Sequence, residues 1–182
     1  MIRGDNMKRL KCMIFVMVVL TGLSLFSGEQ QQELKPKPKP ELKEVGGYWY
    51  AYMDFQGPFT ILSEKSKVVW EECKKQDLKP IGPFLVVFYN AAVDNKPEDY
   101  RWAPAVPVSE DSEVKPPLKK RKFEKTPAVV IVHDYDIEKI SESNLKAREY
   151  IKEKGYKEVW PVYEIFHRSP SRVEIIYPVE IK

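Results

Sequence analysis

The sequence predicts an α+β domain built from two β-α-β-β units about a pseudo-two-fold axis, with both helices on one face of an antiparallel sheet. Three observations lead there. Residues 78–89 (LKPIGPFLVVFY) and 156–167 (YKEVWPVYEIFH) align without a gap at an offset of 78, placing Lys79 on Lys157, Pro83 on Pro161, Val87 on Ile165 and Phe88 on Phe166. The same offset lays the preceding helix-like stretches on each other, with Leu62 on Ile140, Ser63 on Ser141, Glu64 on Glu142, Val69 on Ala147 and Glu71 on Glu149. After a shorter loop in the second copy, Arg101 matches Arg172 and Pro107-Val108 matches Pro178-Val179. Units this small cannot bury their own apolar faces and must dock on each other. The seam between such halves is where ligand sites tend to form.

The folded part begins near Tyr48. Residues 48–56 (YWYAYMDFQ) alternate and are rich in aromatics, the pattern of a strand, and Gly57-Pro58 breaks it. Apolar residues at Ile61, Leu62, Val68, Val69 and Cys73 then recur at a helical period across 59–76. A strand over 83–89 and a polar loop follow. Residues 101–108 form a further strand whose prolines suggest a sheet edge. The second copy repeats the order: a strand over 127–133, a helix over 137–154 stopped by Gly155, a strand over 159–167, a Ser169-Pro170 turn and a strand over 172–180. The repeats are thus 48–108 and 122–181. The basic run 115–125 (KPPLKKRKFEK) between them reads first as a solvated linker and second as a patch for anionic lipid.

Ahead of the domain, Met7-Lys8-Arg9-Leu10-Lys11 and the apolar run from Cys12 to Ser27 have the design of an export signal. That run is shorter than the roughly 20 residues of a comfortable membrane span. Residues 1–28 are expected to be a signal peptide or a retained N-terminal anchor, with membrane association through residues 8–27. Lipidation is not expected, because Gly28 stands where a lipoprotein has cysteine. The product is therefore expected to be exported: periplasmic, secreted or membrane-anchored. Residues 29–47, with alternating Lys-Pro at 35–40, read as an extended spacer.

Residues 1–28 hold four basic side chains and one acidic, so the rest of the chain carries 26 of each sign. A neutral domain lacks the concentrated basic face that nucleic-acid binding needs, so no nucleic-acid partner is expected. Cys73 is the sole cysteine outside the leader, which precludes an internal disulfide. Its match at Ile151 marks it as a small buried hydrophobe.

The order of Gly57-Pro58-Phe59, Lys79-Pro80-Ile81-Gly82-Pro83, the strand Val162-Tyr163-Glu164-Ile165-Phe166 and the closing Tyr177-Pro178-Val179 resembles the GyrI-like small-molecule-binding domain, the effector-binding module of many bacterial transcription regulators. The resemblance covers residues 48–181. It departs at Asp134-Tyr135-Asp136-Ile137, where that family often has a Gly-Pro-aromatic turn, and no helix-turn-helix precedes the domain. A stand-alone form is implied.

Glu164 carries most of the functional expectation. It interrupts an apolar strand where the other repeat has Val86, and a carboxylate among aromatics is costly unless a cation or donors meet it. The resemblance implies that a glutamate here recognises lipophilic, cationic ligands in an aromatic pocket, where ring faces add cation–π attraction of roughly 0.5–2 kcal/mol each. The alternative is a structural pair with Arg168 or Arg172. Glu164, Trp160, Tyr50 and Tyr52, then Tyr89 and Trp102, are the candidate ligand-binding residues. No catalytic residue, metal ligand or cofactor is assigned: His133-Asp134 reads as a polar strand end, and no nucleophile elbow, HExxH or phosphate loop occurs. The expected function is an extracytoplasmic binding protein for a small amphipathic or cationic molecule. Alternatives are a hydrolase of reactive small molecules using the same glutamate, which leaves the enzyme question open but leaning to no, and a protein-interaction or inhibitor module.

Overall fold

A computed structural model describes residues 38–91, 94–134, 136–169 and 171–181. The leader and residues 29–37 of the spacer lie outside the described residues. Among those described, no helix is long and apolar enough to cross a membrane.

Ten strands and two α-helices are formed by the described residues: β1 (Glu41–Val45), β2 (Tyr48–Tyr52), β3 (Phe55–Gln56), α1 (Leu62–Lys75), β4 (Phe84–Phe88), β5 (Arg101–Val108), β6 (Lys119–Phe123), β7 (Thr126–Asp134), α2 (Ile137–Glu153), β8 (Lys157–Glu158), β9 (Val162–Arg168) and β10 (Ser171–Glu180). The predicted α+β class with an antiparallel sheet is what the chain adopts. The sheet runs β1-β7-β10-β9-β4-β5-β2-β6, with β3 beside β5 and β8 beside β10. Outward from the β9–β4 pair, its central six strands are the second, third and first of each half: β9-β10-β7 on one side, β4-β5-β2 on the other.

Three expectations need correction. Residues 41–45, counted as spacer, form β1 and pair with Thr126–Val130 of β7. The proline-bearing strand 101–108 is central, between β4 and β2. Its prolines are tolerated because each missing N–H faces a gap in the ladder. The carbonyl of Pro107 accepts from Ile81, on the side where β4 has not yet begun. Three residues earlier, Pro104 faces the opposite side. There the register linking Tyr52 with Ala105 and Phe55 with Trp102 is interrupted at residues 53 and 54, opposite Pro104. The basic run is likewise a strand more than a linker. Lys119–Phe123 is β6, an outer strand, and a row of lysines there guards against pairing with another chain.

The sheet is buried on both faces, which is why β4 reads FLVVF without alternation. On the inner face the sheet curls upon itself until Phe123 of β6 stacks on Tyr163 of β9, with ring centroids 3.9 Å apart. The outer face carries the helices. Val69 and Cys73 of α1 pack over Ala51, Val106 and Val108, and Ala147 and Ile151 of α2 pack over Val129, Ile131, Val173 and Ile175. Each helix therefore covers its own half of the sheet, and β4 and β9 between them are left as the floor of a groove.

The helices end alike. Leu78 N–H donates to Cys73 C=O at 2.9 Å and Tyr156 N–H to Ile151 C=O at 3.0 Å, both closing over a left-handed residue. That residue is Gly155 (φ 68°) in α2 but Asp77 (φ 54°) in α1. A side chain at positive φ costs about 1 kcal/mol, so Asp77→Gly should stabilise the domain by up to about that amount in urea denaturation. No gain would mean that the Asp77 side chain compensates its backbone.

Candidate functional site

Alternation along β4 and β9 builds the floor. Phe84, Val86 and Phe88 face Phe166, Glu164 and Val162 in register, and all six line the groove. The walls are α1 and α2, supplying Leu62, Ser66 and Trp70 on one side and Ile140, Asn144 and Arg148 on the other. The space is about 1440 Å³, ample for a drug-sized molecule. Gly57-Pro58 turns the chain so that Phe59 enters one end, stacked on Tyr100 at 4.6 Å and edge-on to Phe88 at 5.3 Å.

Glu164 lies on this floor with 8% of its surface exposed. Its carboxyl Oε1 accepts a hydrogen bond from Asn144 Nδ2 at 3.4 Å. The same amide donates to Ile140 C=O at 3.1 Å, while its Oδ1 accepts from the Tyr177 hydroxyl at 2.5 Å. Among the described residues no cation lies within ion-pair distance of Glu164. Arg172, the alternative partner, pairs with Glu174 at 3.6 Å on the other face of the sheet. Burial therefore dominates and pushes the Glu164 carboxyl up to about 7, with Asn144 opposing weakly. A carboxyl in that range can lose its proton to gain a cation at neutral pH, or exchange a proton with a bound molecule.

The candidate residues divide between the two faces. Glu164 and Trp160 line the groove together. Tyr50 does not: it sits opposite Pro107, which shares a face with Ala105, and Ala105 is paired to Leu85 and Leu85 to Ile165. That is the inner face, and Tyr52 and Tyr89 pack against the same inner core. Trp102 is on the groove side but fully buried beneath it, its Nε1–H donating to Gly57 C=O at 2.9 Å. His133 is buried with Nδ1 2.7 Å from the Asp134 carbonyl oxygen, and it does not line the groove. Asn144 and Tyr177 were not among the candidates. Their signal was present in the repeat, where Asn144 matches Ser66 and Tyr177 matches Val106.

No protein-family model matches the sequence, and no curated protein matches it. The fold recurs among solved structures. The EcmrR C-terminal domain aligns with a TM-score of 0.68 at 14% identity, over 80% of this chain and 99% of that one. A hydrolase from Listeria innocua aligns at 0.56 and 14% identity, over 85% and 98%. SAV2435, solved bound to tetraphenylphosphonium, aligns at 0.56 and 11% identity, over 78% and 94%. At these identities the likeness is one of fold alone, and it fits a GyrI-like fold.

Proposed function

We propose that this protein binds small amphipathic cations in the groove between α1 and α2. One observation carries the reading: the Glu164 carboxyl is buried among aromatic and aliphatic side chains and, among the described residues, meets a single neutral donor and no cation. No charge among the described residues repays that burial, whereas a ligand cation would. The rings of Phe84, Phe166, Phe88 and Trp160 in the same groove supply apolar surface and cation–π attraction. That SAV2435 was solved with a phosphonium cation on the same fold supports the choice of probe. Export of the protein remains part of the proposal and rests on the basic and then apolar start of the chain.

Isothermal titration with tetraphenylphosphonium and with neutral triphenylphosphine oxide, against wild type and Glu164→Gln at pH 8, tests this. The phosphonium should bind the variant about 10- to 100-fold more weakly, and the oxide should bind both proteins alike. Because the carboxyl must be ionised, wild-type affinity for the phosphonium should rise between about pH 6 and pH 8. Equal phosphonium binding by the two proteins would refute the reading. A hydrolytic reading comes second, on the observation that the near-neutral Glu164 sits beside Asn144 and Tyr177 as an acid–base group. Turnover of an electrophilic small molecule, lost in Glu164→Gln, would favour it.

A further inference from the structure

The position of Glu164 along the groove carries information about ligand shape. In the β4–β9 ladder Phe84 meets Phe166, Val86 meets Glu164 and Phe88 meets Val162. The sequence repeat has an offset of 78, and Val86 and Glu164 are 78 apart. In this ladder one pair alone joins a residue to its own repeat counterpart, and it is the pair that holds the carboxyl. The walls follow the same rule, since Ser66 with Asn144 and Trp70 with Arg148 are also 78 apart and also line the groove. Glu164 is therefore central. At about 3.4 Å per residue the floor from Phe84 to Phe88 spans about 14 Å, with about 7 Å of apolar floor on either side of the carboxyl.

The two ends are alike in kind. Beyond Glu164 in one direction lie Phe84, Phe166 and Trp70, and in the other Phe88, Phe59 and Trp160. Each end also carries a guanidinium. Arg168 follows Phe166 and is exposed at the rim, meeting no carboxylate among the described residues. Arg148 stands at the Trp160 end, its charge offset by Glu158 at 3.1 Å and Asp94 at 4.0 Å. Lys67 and Glu71 are the remaining charged groups on the α1 wall, and Glu71 already pairs with Lys74 at 2.9 Å. Negative charge that awaits a partner is at the middle, and of the two guanidiniums only that of Arg168, at the Phe166 end, is not offset by a carboxylate among the described residues.

Resting on the cation-binding reading above, we infer that the groove selects molecules whose positive charge lies between two apolar arms, and discriminates against amphiphiles charged at one end. An end-charged molecule that reaches Glu164 can fill only one half of the floor. If it fills both halves, its cation sits at one end, about 7 Å from the carboxyl.

Two isomeric probes separate the cases: dibenzyldimethylammonium, charged between its rings, and (biphenyl-4-ylmethyl)trimethylammonium, charged at one end. They share composition, two phenyl rings and one permanent charge. Isothermal titration at pH 8 should show the dibenzyl isomer binding wild type about tenfold more tightly, and Glu164→Gln should erase most of that preference. If tetraphenylphosphonium binds in a Glu164-dependent way while the biphenyl isomer equals or outdoes the dibenzyl one, this inference falls and the cation site stands. A preference undiminished in Glu164→Gln would also overturn it, because it would then arise from shape without the central charge. If neither isomer nor tetraphenylphosphonium binds, the cation site and this inference fall together.

Discussion

Glu164→Gln should raise the unfolding free energy by about 3 kcal/mol at pH 8 and leave it nearly unchanged at pH 4. The carboxyl ionises near 4.5 when unfolded and at about 7 when folded, because burial disfavours its charge. The folded state therefore holds this proton more tightly than the unfolded state. Below pH 4.5 both states are protonated and burial of the neutral acid costs little. As pH rises from 4.5 through 7 the unfolded chain releases its proton first, so stability falls across that window and stays lower above it. At 1.36 kcal/mol per pH unit the full loss is about 3 kcal/mol. Glutamine keeps the size and still accepts from Asn144, but it has no proton to lose. Urea denaturation of both proteins from pH 4 to 8, taken as a difference, isolates this residue from the other titrating groups. A flat difference would mean that Glu164 ionises freely in the fold and has no need of a ligand cation.

Trp102→Ala should destabilise the domain by about 4 kcal/mol. Trp102 is completely buried, lies 5.4 Å from the Phe55 ring and 6.5 Å from that of Phe59, and holds the Gly57 carbonyl. Truncation removes the indole, opens a cavity and strands an acceptor. Trp102→Phe should cost less, since a ring remains and the lost hydrogen bond dominates. Because Trp102 sits under Phe59, the alanine variant should also weaken phosphonium binding without changing its pH dependence. A cost below about 1 kcal/mol in denaturation would show that the site refills.

The repeat made the architecture legible, because a gapless offset across helix and strand constrains topology whatever the individual residues are. It also singled out Glu164, by contrast with Val86. The tyrosines show where legibility stops. Alternation in YWYAY separates Tyr50 and Tyr52 from Trp49 and Ala51, but both faces of this sheet are buried, so neither set is marked as facing the ligand. Which face Tyr50 shares with which residue of β9 depends on the registers of three successive strand pairs, all long-range. The prolines of β5 misled for a related reason. A missing N–H excludes a strand from a sheet interior only where a partner needs it, and the gaps at residues 53–54 and ahead of β4 are properties of the neighbours. The Asn144 and Tyr177 contacts could have been suspected, since both replace smaller or apolar residues of the other repeat next to Glu164.

Tension applied to the chain ahead of residue 38 would reach the domain through β1. This strand has largely exposed side chains and is held by a ladder of five residue pairs to β7, at the rim of the sheet. Little apolar area would be uncovered by its departure, so β1 should act as a mechanical fuse that peels before the helices or the groove are disturbed. Its release would free about 17 Å of extended chain from the sheet and leave the β7 rim unpaired.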